Sequence, residues 1–477
     1  MTNRSLWQRH KNKVLFSSAT LAFIFSTGAV SLYLIKKWLW RQQLKLNEQQ
    51  FVKEQIKRRF NQTQQDALYT IYELVPVLSL VLTKDLDVEE IVASLKGKKL
   101  SRRLSHGAKG TEHDGLSSGM STSISEAVKS SGDPSHSEDK KTKAELWNDL
   151  KLKSLTKLCT VIYSVSSLLL LTRLQLNILA RREYLETAVK TAVEKESAVQ
   201  TSLTSWITSF WQHESQAPTF SQGVDNNSIH ISEDARKARR SSYINEQAFL
   251  SFSWWLLNRG WLQYKALAEK LVLREFGQLN PRDTLTVEEF GERLSRVLHA
   301  INQEVLSHAA PQSASTAGKQ PLQQILLPES NLQQFVLQQT LDSDALKLLY
   351  DDNAVLHQLL NETSNCVEST ASLIVLESLI NDAFQFTMLH VEENVSKKNK
   401  SKSSAEASSS ENATAPAAPL ADETKHQMAL FSVSCKNCCD EMLKSGVVSM
   451  NNVFLQRLDS IPELDDLSAS VYSNFGF

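Results

Sequence analysis

Glycine and proline are scarce, with 14 and 10 residues in 477, about 3% and 2% where about 7% and 5% are usual. Both residues punctuate helices and build tight turns. Their scarcity excludes a fold of many short strands and hairpins, so long helices and an all-α fold class are expected. Cysteine is also rare, and five residues in a chain of this length give no disulfide framework. Neither sign of charge dominates, because 52 basic and 53 acidic side chains leave a net −1. Such a balance excludes a general polyanion binder, and nucleic acid is not an expected partner.

Catalytic motifs are missing too. There is no nucleophile elbow and no Gly-rich dinucleotide turn. Gly110 and Gly115 have the spacing of a phosphate loop, but Leu116-Ser117 stands where Lys-Ser/Thr is required. Cys435, Cys438 and Cys439 lack the second half of a zinc site, so buried apolar thiols are expected. Asp351-Asp352 and Asp465-Asp466 sit at element boundaries, where Asp suits caps. No catalytic, cofactor or metal residue is expected, and the chain is not read as an enzyme.

What the sequence does have is an uncharged run from Val14 to Ile35. About 20 helical residues cross the roughly 30 Å hydrocarbon layer of a bilayer. Lipid offers backbone groups no partner, so such a run must be helical there. It is longer than a signal-peptide core and ends without a cleavage site. Basic residues flank it: Arg4, Arg9, Lys11 and Lys13 before, then Lys36, Lys37, Arg41, Lys45, Lys53, Lys57, Arg58 and Arg59 after. Trp38 and Trp40 suit the membrane interface. The heavier basic flank places the C-terminal part in the cytosol. The expected organisation is a short basic N-terminus at 1–13, a single membrane anchor at 14–35 and a cytosolic helical bundle at 36–477. Lys36, Lys37, Arg41, Lys53, Lys57, Arg58 and Arg59 are membrane-proximal basic residues suited to anionic headgroups, although a solvated face is the blander reading.

Beyond the anchor, an amphipathic helix is expected up to Pro76, which should end or kink it. Asp87 with Glu90 starts another, carrying Ile91, Val92 and Leu95. Four polar inserts, at about 101–142, 212–242, 307–320 and 396–425, lack the apolar side chains to offset their ordering entropy and are expected to be disordered. The second holds the basic run Arg236, Lys237, Arg239 and Arg240, expected as solvated loop. A helix, or two joined, runs from Lys143 to about Trp211. Its uncharged part, Leu158 to Thr172, is short for a membrane span and reads as buried core. On a helical wheel Trp147, Leu155, Leu158, Ile162, Val165 and Leu169 share one arc, which should face the core. Leu146 and Leu150 fall off that arc, toward Lys153 and Lys157, so either the Ser-rich loop covers them or they form a docking ridge.

Asn245 to Phe276 is helical, with Phe249, Phe252, Trp254, Trp255, Trp261 and Tyr264 as core. Thr286 and Glu289 form a capping box, with Leu285 and Phe290 as its hydrophobic staple. Further helices are expected within 342–395, broken near Asp351–Asn353, then over His426–Leu443 with Gly446 as its C-terminal cap, and around Leu464–Tyr472.

Several of these segments resemble, in order, those of the peroxisomal biogenesis factor 3 (peroxin-3) family, most closely its budding-yeast members. They are Gln8–Val14, Lys57–Phe60, Tyr69–Tyr72, Lys143–Lys151, Tyr163-Ser164, Arg173–Ile178, Tyr243–Ala248 and Asp465–Gly476. The resemblance implies a single-pass peroxisomal membrane protein with a lumenal N-terminus and a cytosolic helical domain, passing in some settings through the endoplasmic reticulum. It implies docking of a cytosolic chaperone of membrane proteins, biogenesis factor 19. The family's docking tryptophan and leucine match Trp147 and Leu150, with Leu146 beside them. It also implies recruitment of inheritance and pexophagy adaptors, which no residue here places. The rivals are a signal-anchored enzyme with a lumenal domain and a mitochondrial outer-membrane receptor. Glycan on the sequons at Asn61, Asn226, Asn361, Asn394 or Asn412 would favour the lumenal enzyme.

Overall fold

The structure is a computed structural model and describes residues 6–107, 141–211, 233–306, 321–351, 353–406, 424–444 and 452–474. It divides into two units, Met1–Thr63 and Gln64–Phe477. The first unit is helical from Leu6 and forms the beginning of α1 (Leu6–Asp85). The stretch 14–35 is therefore helix, while the side chains of residues 14–32 lie outside the described residues. Tyr33, Leu34, Ile35, Trp38 and Trp40 are all exposed. Lys36, Lys37, Arg41, Lys53, Lys57 and Arg58 are exposed as well, and Arg59 is half-buried.

The second unit is an all-α bundle around α3 (Lys143–Trp211). Every residue of α3 from Ser154 to Gln175 is buried. The Lys143–Thr191 stretch is apolar enough to cross a membrane, yet its apolar window is 100% buried inside the protein, as expected for a core helix. The Gln50–Asp85 stretch passes the same test of length and composition with 28% of its window buried.

Around α3 pack α2 (Val88–Gly107), α6 (Trp261–Phe276), α11 (Ala354–Glu368), α12 (Thr370–Glu406), α13 (Met428–Met442) and α15 (Pro462–Ser473). The bundle is completed by α4 (Glu233–Ser251), the short α5 (Ser253–Trp255), α7 (Val287–Val305), α8 (Pro321–Leu326), α9 (Ser330–Thr340), α10 (Ser343–Asp351) and α14 (Val453–Asp459). Two-residue strands, β1 (Thr284–Leu285) and β2 (His426–Gln427), pair antiparallel and bring the start of α13 to that of α7. Phe290 of α7 then stacks on Phe431 of α13, with ring centroids 4.5 Å apart.

Several expectations need correction. Pro76 does not end α1, which continues to Asp85. Proline removes one intrahelical hydrogen bond, but Ile71, Val75, Leu78 and Leu82 form a continuous buried stripe across it. The basic run is not loop: Lys237, Arg239 and Arg240 are exposed on α4, which begins at Glu233. Likewise α2 runs to Gly107 and α12 to Glu406, into the expected inserts. The rest of those inserts (108–140, 212–232, 307–320 and 407–423) and the expected cap at Gly446 lie outside the described residues. Asn245–Phe276 is interrupted by a π-helical turn at Leu256–Gly260. A second break, at Ser369, separates α11 from α12, and the Ser372 N–H bonds the Ser369 Oγ at 3.2 Å as in an N-cap.

The capping expectations hold. The Glu289 N–H donates to Thr286 Oγ1 at 3.1 Å and the Thr286 N–H to Glu289 Oε2 at 3.0 Å. The Glu90 N–H donates to Asp87 Oδ1 at 2.8 Å. Leu285 and Phe290 are both buried.

Two segments that carry the family resemblance meet in space. The buried Arg173 guanidinium bonds Gln64 and Asp459 and lies 3.6 Å from Asp465. Gln64 Nε2 in turn donates to Asn177 Oδ1 at 2.8 Å. Arg181 pairs with Glu362 and donates to the Val471 carbonyl at 3.0 Å. These two arginines fasten the C-terminal helices to α3. Removing one partner of a buried pair costs about 3–5 kcal/mol. Asp465 is largely solvated and Asp459 partly so. Arg173→Met should therefore cost nearer 2–3 kcal/mol, read as a lower denaturation midpoint of the full chain in detergent.

Candidate partner-docking site

The sequence places Trp147, Leu150 and Leu146 at the start of α3. That start is set by a capping box: the Glu145 N–H donates to Thr142 Oγ1 at 3.3 Å and the Thr142 N–H to Glu145 Oε2 at 2.7 Å. The helix opposite, α2, opens on the Asp87 cap and carries Val88, Ile91, Val92 and Leu95 at helical spacing. The two stripes meet. Val88, Ile91, Leu95, Leu146 and Leu150 form a small buried cluster apart from the main core, with Val92, Trp147 and Val433 of α13 partly buried against it.

The wheel reading is thereby corrected. Leu146 is 7% exposed and Leu150 1% exposed, so neither leucine stands on a wet face. Among the described residues the cover is α2. Lys157, also assigned to the wet side, is buried; its ammonium lies 3.6 Å from Glu89 Oε1, and Lys436 of α13 lies 3.4 Å from the same oxygen. Glu89 thus pins the first turn of α2 between two lysines. At the far end of the pair, Lys98 donates to the Lys141 carbonyl. Lys151 is buried on the same helix and donates to the carbonyls of Phe276, at 2.7 Å, and Leu279, where it satisfies the C-terminus of α6.

Trp147 differs from its neighbours. It is the one member of the predicted core arc that the bundle leaves half-buried. The side chain therefore packs against the cluster from its solvent side, as the half-buried Val92 and Val433 also do, while Leu150 is a buried member of the cluster itself. Sequence reasoning missed Val92 and Val433 as companions of Trp147. The start of α2 was visible at Asp87-Glu90, but nothing in its pattern says which helix it covers.

Among the described residues there is no group of three or more His, Cys, Asp or Glu side chains able to hold a metal ion. Cys159, Cys435, Cys438 and Cys439 are buried, as expected of apolar thiols, and Cys366 is half-buried. Burial pushes the thiols of Cys159 and Cys438 up to about 12. A thiol needs its thiolate to react. At pH 8 in the folded chain, iodoacetamide should therefore modify Cys366 alone, and slowly, because burial raises that thiol too. All five should react in denaturant, and mass spectrometry of the intact chain checks both.

The family model Peroxin-3 matches residues 5–474. Peroxisomal biogenesis factor 3 of Kluyveromyces lactis is 49% identical, over 99% of each chain. The protein of the same name from Saccharomyces cerevisiae is 42% identical, over 99% of this chain and 97% of its own. Peroxisomal membrane protein PEX3 of Komagataella phaffii is 33% identical, over 98% of each chain.

Proposed function

The chain belongs to the Peroxin-3 family, whose role is peroxisome biogenesis, and from that premise we propose that it is the docking receptor, on the peroxisomal membrane, for the cytosolic chaperone that delivers new membrane proteins. The chaperone is biogenesis factor 19. The receptor is held by one helix at 14–35, with residues 1–13 in the lumen and residues 36–477 in the cytosol. The names of the relatives support the organelle and, for the Komagataella protein, the membrane. Inheritance and pexophagy adaptors are further partners of this surface-rich bundle.

The observation that carries the docking reading is the half-buried indole of Trp147 at the rim of a separate apolar cluster. Interface hot spots are enriched in tryptophan set among close-packed apolar neighbours. An amphipathic helix of the chaperone lays its apolar stripe over Trp147 and Val92, in the helix-in-groove manner. Leu150 and Leu146 belong to the buried cluster against which Trp147 packs. In this arrangement Leu150 touches the partner only if α2 shifts, so its contribution is to hold Trp147 in place. The rival lumenal enzyme needs a sheet-bearing domain. Among the described residues the strands are two of two residues each.

A pull-down tests the reading. The full chain, purified in detergent, is the bait for a cytosolic extract, and the retained proteins are identified by mass spectrometry. The chaperone should be the leading protein retained. Its absence from the retained fraction would remove the docking function.

A further inference from the structure

A second surface lies far along the chain from Trp147. A cavity of about 400 Å³ opens between α4 and the junction of α9 with α10. Ile244, Leu341 and Ala345 line it and are all buried, beside the polar Gln247 and Thr340. Its rim carries Arg240, Tyr243 and Asp342. The Tyr243 ring is 64% exposed. Asp342 is already engaged, because its Oδ1 accepts the Ala345 N–H at 2.8 Å as a cap of α10. Arg240 forms no ion pair or hydrogen bond among the described residues, and the same holds for Lys237 and Arg239.

The cations and the cavity are aligned. Lys237, Arg240, Ile244 and Gln247 follow at i, i+3, i+7 and i+10, which is one face of α4. From Ile244 back to Lys237 is seven residues, about 10 Å at the helical rise. A ligand that fills the floor and answers the cations must therefore be elongated. Extended peptide covers about 3.3 Å per residue, so some three residues bridge that distance.

We propose that this cavity binds a linear peptide segment of a partner protein, with an apolar side chain seated on Ile244, Leu341 and Ala345 against Tyr243 and acidic residues about three positions away on Arg240 and Lys237. The apolar anchor gives the affinity, and the cations set direction and exclude basic peptides. This surface is independent of the Trp147 site and does not rest on the docking reading.

The probes are fluorescein-labelled octapeptides in which Leu or Phe stands three residues from a pair of acidic residues, with Lys in place of the acids as the counterpart set. They are titrated by anisotropy onto the full chain in detergent. Acidic members should bind saturably and lysine members at least about tenfold more weakly. Lys237→Glu with Arg240→Glu should weaken binding about tenfold or more, and Ala345→Trp should fill the cavity and do the same. Circular dichroism checks that each variant folds, and the charge reversals lie at exposed positions, so they stand as the test if Ala345→Trp does not fold. Absence of binding, equal binding of acidic and lysine peptides, or binding unmoved by the charge reversals would overturn the proposal.

Discussion

Replacing Trp147 by alanine should weaken binding of the chaperone's N-terminal peptide at least about tenfold, with the helical content of the chain unchanged. The asymmetry follows from where the ring sits. Trp147 is half-buried at the rim of the cluster that Val88, Ile91, Leu95, Leu146 and Leu150 form between α2 and α3. Truncating a buried tryptophan anchor at an interface costs about 2 kcal/mol or more, whereas the fold keeps the five buried members of the cluster. Leu150→Ala should behave differently. That side chain is 1% exposed, and emptying such a site costs about 2–5 kcal/mol of stability. A binding defect in Leu150→Ala should therefore come with a lower denaturation midpoint, while one in Trp147→Ala should not. Calorimetric titration beside thermal denaturation separates the two. Equal affinity for wild type and Trp147→Ala would remove this site from the docking account.

The largest effect on the fold is expected at Gly260. This glycine closes the π-helical turn Leu256–Gly260, where the chain passes against α8. A Cβ there would stand 2.0 Å from the Ile325 carbonyl oxygen, 3.1 Å from its carbon and 3.3 Å from Leu256 Cδ1. The first two are backbone atoms and cannot swing aside. The Gly260 backbone itself is right-handed helical, so the constraint is the close approach and not its dihedral angles. To admit a methyl group, α8 must move. Its Leu322, Ile325 and Leu326 are buried in the main core, and the Gln324 carbonyl accepts the Trp255 indole N–H at 3.0 Å. Overpacking a core commonly costs about 1–3 kcal/mol, and displacing a whole helical segment places Gly260→Ala at or above the top of that range, about 3 kcal/mol. Thermal denaturation should show a large drop in midpoint. Gly97→Ala, where a Cβ meets nothing within 4 Å, is the matched control and should be neutral or slightly stabilising.

How much of this was legible in the sequence differs from residue to residue. Local signals read well. The cap at Asp87, the capping box at Thr286 and the buried reading of Leu158–Thr172 all appear as expected, because each depends on residues within a turn or two. Partnership between distant segments did not read. A wheel assigns Leu146 and Leu150 to a face but cannot say that α2 lies over it. Nor does charge reveal burial: Lys157 finds Glu89, Lys151 finds the carbonyls ending α6, and Arg173 finds Asp459 and Asp465 nearly three hundred positions away. The π-helical turn had no cue beyond an isolated glycine in a helical pattern. Pro76 did not mark a helix end, since the buried stripe on either side of it outweighs the hydrogen bond it removes. For the proposed site, periodicity alone put Trp147 on the core-facing arc, and it gave no sign that Val92 and Val433 pack half-buried against the same cluster.

The most direct test puts a photo-crosslinking side chain at Val92, which like Trp147 is half-buried against the cluster. The full chain carrying it is mixed with the chaperone, irradiated, and the adduct mapped by mass spectrometry. A helix captured over Trp147 predicts an adduct to the chaperone's N-terminal amphipathic segment, lost when Trp147→Ala is added. Full binding with no adduct at position 92, and with adducts from exposed control positions such as Leu273 of α6, would contradict it.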